Sequence, residues 1–111
     1  MDITFRELED YLFHHYGNCA TEQGMFMKLV EEMGEVAEIL NKRAGRKASG
    51  EDDLTGMLAS ELADVIHYTV AIAAINGIDL TDTILAKDRK ASIKYHHDMS
   101  LETFLGTREN T

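Results

Sequence analysis

Two short acidic motifs hold the chemistry in this sequence. In EEMGE, Glu32 and Glu35 stand three residues apart, and in ELAD, Glu61 and Asp64 share that spacing. Residues three apart lie on one helical face, so each motif presents two carboxylates in a common direction. If the two helices lie side by side, four carboxylates converge into the hard oxygen environment that Mg²⁺ or Mn²⁺ prefers. At about 100° per residue, Glu61 falls in the stripe of Leu54, Leu58, Val65, Tyr68, Ile72 and Ile75, and so points toward the core. Glu32 borders the face of Leu29, Val36 and Leu40, with Glu35 and Asp64 on the flanks. A buried carboxylate without a partner is costly or takes up a proton, and a cation removes both penalties. Acids on helices are ordinarily solvated or paired with Lys or Arg, and that placement suffices for Glu31 and, as structure, for Glu38.

The elements that must position these pairs are helices. There are no prolines, so glycines, caps and hydrophobic period divide the chain. The first helix is expected from about Thr4 to His15, with Phe5, Leu8, Leu12 and Phe13 as its apolar side. A second follows Thr21 and runs through Met25, Leu29, Met33, Val36 and Leu40 to about Arg43. The stretch 44–53 has no apolar period and reads as an exposed, mobile loop. A third helix is expected from about Leu54 to Asn76, stopped by Gly77, and a fourth, basic one from Leu80 or Thr81 to about His96. After Ser100, Leu101, Phe104 and Leu105 suffice for a short docked turn before the end frays.

Composition bounds the rest. With 111 residues and 44% hydrophobic content, a single all-α domain over 1–111 is the working assignment. A core this small favours self-association of helices with broad apolar faces. The net charge of −9, from 20 acidic against 11 basic residues, repels nucleic acid polymers, yet bound divalent cations invert the local field and bring phosphate to carboxylates. The longest apolar stretch, Val65 to Ile75, is interrupted by His67, Tyr68 and Thr69 and is too short to span a bilayer, so no membrane association is expected. One cysteine, Cys19, makes no internal disulfide and reads as a free thiol. Without a signal-peptide pattern, the cytoplasm is the expected location.

The run KLVEEMGEVAEIL, then ELADVIHYTVAIAAINGIDL, then KDRKASIKY resembles the MazG-like nucleotide pyrophosphohydrolases over about residues 25–95. Both acidic pairs, their order, the apolar run after the second and the Gly-Ile-Asp turn together make the likeness specific. The resemblance implies a four-helix, bundle-forming fold assembled as a dimer or tetramer. It implies Mg²⁺-dependent hydrolysis (with Mn²⁺ as a substitute) of nucleoside or deoxynucleoside triphosphates to monophosphate and pyrophosphate, in nucleotide-pool house-cleaning. By motif position Glu32, Glu35, Glu61 and Asp64 correspond to the metal ligands. Lys28, Lys87 and Lys94 are candidates for phosphate contact, and Glu35 or Glu38 for the base that takes the proton of a bound water. The fourth helix departs from the family pattern: Ala91 replaces an asparagine often found there and Lys94 a following arginine.

Two other readings compete. Asp64 and His67 form a D-x-x-H pair like those of di-iron helical bundles, although the acidic second helix has no histidine and His67 points away from Glu61 on the wheel. Alternatively, the chain is a non-catalytic helical oligomer or partner-binding module, which the intact acidic pairs argue against. The histidine pairs His14–His15 and His96–His97 occupy helix ends, an ordinary solvated placement. The methionines read as packing residues able to line a base pocket.

Overall fold

In the computed structural model, residues 1–18, 21–45 and 53–109 are described, and all regular structure among them is helical. Helix α1 spans Phe5–Tyr16, α2 Glu22–Arg43, α3 Leu54–Ile75, α4 Leu80–Lys94 and α5 Leu101–Glu109. Cys19 and most of the 44–53 connection lie outside the described residues.

The starts follow the expected capping chemistry. Thr4 and Glu7 form a reciprocal capping box on α1, and the Thr21 hydroxyl accepts from the Gly24 amide to open α2. Asp53 and Asp79 cap α3 and α4 in the same way. At the end of α3, Gly77 takes φ +66°, and the Ile78 amide reaches back to the Ala73 carbonyl at 2.9 Å, a Schellman closure. Helix α4 closes likewise, with His96 at φ +55° and the His97 amide on the Ser92 carbonyl at 2.9 Å. It therefore stops at Lys94, two residues before the expected end.

The fifth helix corrects the expectation of a short turn, and of four helices in all. Ser100 Oγ accepts from the Thr103 amide, and Asp88 Oδ2 on α4 accepts from the Leu101 amide at 2.7 Å. Those two bonds satisfy free amides of the first turn, and Arg89 pairs with Glu102 across the α4–α5 contact.

Helix α3 is central, with α1 and α2 packed on it, while α4 packs against α1 and α5. Leu12, Met25, Val70, Ala71 and Ala74 form the buried core, joined at its margin by Leu8, Tyr16, Ile72, Ile75 and Leu80. Alanines at 71 and 74 let α1 approach the α3 backbone closely. Arg6 bridges α1 to Asp79 and Asp82, and Glu9 accepts from the Leu80 amide, so the α4 N-terminus is tied to α1. The hydrogen bond from the Asp82 amide, and after it the hydrogen bond and charge of the Arg6 guanidinium, hold the Asp79 carboxyl below its ordinary range.

Two expectations about apolar faces need revision. On α2 the buried seam is Met25 and Ile39, whereas Met33 and Leu40 are exposed and belong to a second stripe with Phe26 and Val30. On α1, Leu12 is buried while Phe5 and Phe13 stay exposed. The whole of α3, 22 residues at mean hydropathy 1.4, is long and apolar enough to cross a membrane by length and composition, although the shorter run considered in the sequence is not. It nevertheless carries Glu61 and Asp64, each costing about 3 kcal/mol at a bilayer centre, and it serves as the packing axis for α1 and α2.

Candidate metal centre

Met25, Glu32 and Ile39 follow one another at intervals of seven residues, two helical turns, on the α2 face that meets α3. Met25 and Ile39 are 5% and 4% exposed, so Glu32 occupies a seam position between two core residues. Across the seam, Glu61 sits in the half-buried stripe of α3 that includes Leu58, Val65 and Tyr68. Helix packing thus drives two carboxylates toward each other where apolar side chains would ordinarily meet.

Glu32, Glu61 and Asp64 each place a carboxylate oxygen within 4.8 Å of the others. The Glu61 Oε2 is buried and has no hydrogen-bond partner among the described residues. The Glu32 carboxyl is pushed up to about 7, chiefly because its proton is shared in a hydrogen bond with Glu61; desolvation and the charges of Glu61, Asp64 and Glu31 add to this. Without a cation the cluster resolves its repulsion by holding a proton. A divalent cation would resolve it by charge, and three carboxylates with an unsatisfied inward oxygen fit the oxygen preference of Mg²⁺ or Mn²⁺.

Three of the four expected ligands are therefore together. Glu35 is exposed on the flank of α2 and lies outside the cluster of three, with Glu38 one turn further along. Lys28 lies one turn before Glu32, pairs with Glu31 at 3.5 Å, and lines a groove beside the cluster. Lys87 and Lys94 are on α4, whose packing partners are α1 and α5 rather than the α2–α3 seam, and the Lys94 ammonium lies 5.3 Å from the Tyr95 ring centroid. His67 is not in the cluster: its Nε2 is 2.8 Å from the Tyr16 hydroxyl, on the α1 side of α3. The D-x-x-H pair thus splits between two neighbours, which leaves the di-iron arrangement without its histidine. Sequence reasoning gave Tyr16 no role, although an aromatic residue in the last turn of α1 was its only signal.

The comparisons bear on the family and the fold. The model of the MazG nucleotide pyrophosphohydrolase domain matches residues 20–97. The crystal structure of iMazG from Vibrio DAT 722 is similar at 30% identity, covering 84% of this chain and 98% of that one with a TM-score of 0.63. No curated protein gives a significant match.

Proposed function

Since the chain belongs to the MazG nucleotide pyrophosphohydrolase family, we propose that it hydrolyses nucleoside or deoxynucleoside triphosphates to the monophosphate and pyrophosphate, using Mg²⁺ held by Glu32, Glu61 and Asp64. The observation that supports this most is the convergence of those three carboxylates around a buried, unpartnered oxygen of Glu61. When bound there, the cation supplies charge neutralisation for the triphosphate and lowers the pKa of a water molecule.

The residues then divide the work. Glu32, Glu61 and Asp64 would hold the cation, which would supply the positive charge that brings the phosphates to this end of the α2–α3 seam. Glu35 and Glu38, following on the same helix, are the candidates to accept the proton of the attacking water. Oxygen of water bonds to phosphorus, the bond between the α and β phosphates breaks, and pyrophosphate leaves with the negative charge that lysines can balance. Lys28, one helical turn before Glu32, is the candidate for that contact within one chain; Lys87 and Lys94 would need a neighbouring subunit or a movement of α4. Removal of non-standard or surplus nucleotides is the biological role that this chemistry suits.

The working form in this reading is a homo-oligomer. The chain exposes 8485 Å², where a compact protein of 12.5 kDa exposes about 6200 Å², and its radius of gyration is 17.4 Å against about 13 Å for a globule of this length. The excess, about 2300 Å² on one chain, is larger than the roughly 800 Å² that each partner buries in a standard interface and falls in the range of extensive obligate ones. Phe26, Val30, Met33 and Leu40 line α2 at helical spacing, and Leu62 and Ile66 on α3 are also exposed; a second copy of the chain is the occupant proposed.

Product analysis tests the reaction class. Chromatography after incubation with ATP, dCTP and dUTP in Mg²⁺ should give monophosphate and pyrophosphate in equal amounts. Diphosphate and inorganic phosphate would indicate a different hydrolysis, and unchanged nucleotide would favour a binding module.

A further inference from the structure

We propose that the groove between Tyr16, Lys28 and Tyr68 receives the nucleoside end of the substrate, and that Tyr16, held in place by His67, determines which nucleosides fit. The inference rests on the triphosphate hydrolase reading above and extends it to the part of the substrate that does not react.

The groove has a volume of about 290 Å³ and is lined by Tyr16, Thr21, Gly24, Met25, Lys28 and Tyr68. Lys28 stands four residues before Glu32, and Tyr68 four residues after Asp64. Four residues of helix rise about 6 Å, so the groove begins one turn from the carboxylates on both helices. A triphosphate anchored at the acidic cluster and passing Lys28 would extend its sugar and base into this space. The lining suits that end of the molecule: flat aromatic faces for a base, a thioether that adapts to shape, and hydroxyls for polar edges.

One residue organises both aromatic walls. His67 Nε2 lies 2.8 Å from the Tyr16 hydroxyl, with the two rings edge-on at 5.7 Å. The His67 ring also meets the Tyr68 ring edge-on at 4.9 Å. Burial raises the Tyr16 phenol, which therefore stays neutral and able to donate to the imidazole. A half-buried histidine that takes no part in the acidic cluster thus acquires a use as a positioning residue. Tyr16 comes from α1, so the groove joins the helix outside the acidic pair to the reaction site. The larger cavity of about 620 Å³ beside Phe26 and Met27 lacks a cation, includes Glu22, and adjoins the exposed stripe assigned to a second copy. It suits a phosphate-bearing ligand less well.

Calorimetric titration separates the nucleoside end from the phosphates. The probes are α,β-methylene analogues of several nucleoside triphosphates and inorganic tripolyphosphate, all with Mg²⁺. The analogues should bind wild type about tenfold or more tightly than tripolyphosphate, the range that base stacking on an aromatic ring supplies. Tyr68→Ala should remove most of that difference and leave tripolyphosphate binding unchanged. Tyr16→Phe keeps the packing ring and should change the ratio of affinities among bases. His67→Ala should reproduce that change, and His67→Gln, which keeps a hydrogen-bonding group, should restore the wild-type ratio. Equal weakening of both ligand types, or an unaltered base ratio in folded Tyr16→Phe and His67→Ala, would overturn the proposal. Tyrosine-dependent analogue binding without turnover would instead sink the hydrolase reading alone, whereas no binding of either ligand would sink both.

Discussion

Glu32 and Glu61 hold positions that helix packing would otherwise give to leucine, and the consequence is measurable as a proton. The folded-state pKa of Glu32, about 7, lies above the ordinary 4.5, so between those values the native state binds more protons than the unfolded chain. Stability of the metal-free protein should therefore fall as pH rises from about 4.5 through about 7. Mg²⁺ should abolish that fall and release a proton on binding below pH 7, giving a heat that scales with buffer ionisation enthalpy in calorimetry. A melting temperature flat across this window without metal would contradict the shared-proton cluster. In the metal-free protein above pH 7, Glu61→Gln should raise the melting temperature because it removes the repulsion between the two carboxylates. At this scale the sequence was informative about Glu61, whose place in an apolar stripe could be read from spacing alone. It did not distinguish Glu35 from the other three, because residues three apart share a face only loosely and the flank of a helix can point to solvent. Nor could it pair His67 with Tyr16, a contact that depends on how α1 crosses α3.

The helices announce their beginnings more clearly than their ends or their faces. Thr4, Thr21, Asp53 and Asp79 are short polar residues ahead of apolar periods, and all four cap. The stop of α3 was equally legible because Gly77 suits a left-handed residue, whereas α4 ends at Lys94 with His96 as its left-handed residue, and a histidine does not announce that conformation. His96→Gly should therefore stabilise by about 0.5–1 kcal/mol and Gly77→Ala should destabilise by about 1 kcal/mol, both read from thermal melting. Helix α5 was hidden for another reason: Thr103, Gly106 and Thr107 are weak helix formers, and the carboxylate that anchors its first turn, Asp88, is on a different helix. Asp88→Ala should leave α1–α3 intact while amide exchange in α5 accelerates about tenfold or more, since a charged acceptor bond is worth about 1.5–3 kcal/mol. Unchanged protection of α5 would show that its apolar contacts suffice. The two apolar stripes of α2 were merged in the sequence because Met33 and Leu40 lie within a turn of the true seam.

At the scale of the molecule, a central α3 gathers α1 and α2 but leaves hydrophobic side chains outside, and the proposed homo-oligomer rests on that exposure. Sedimentation should give a dimer or tetramer, and Val30→Glu with Ile66→Glu should shift it toward monomer. A wild-type monomer at micromolar concentration would refute the proposed second copy. The all-helical class was legible from periodicity, and the family from the acidic motifs. Extent of exposure was not, because hydropathy records that a residue is apolar and not what covers it. The activity belongs to this scale too, since cation, groove and lysines must act together. The most direct measurement is pyrophosphate release from a panel of NTPs and dNTPs by wild type and Glu61→Gln, each with Mg²⁺ and with chelator. The predicted result is Mg²⁺-dependent release by wild type that falls at least about 100-fold in the variant. Release that survives the chelator or the loss of the Glu61 charge, or none from a folded, Mg²⁺-supplied wild type, would contradict a metal centre at Glu32, Glu61 and Asp64 as the site of hydrolysis.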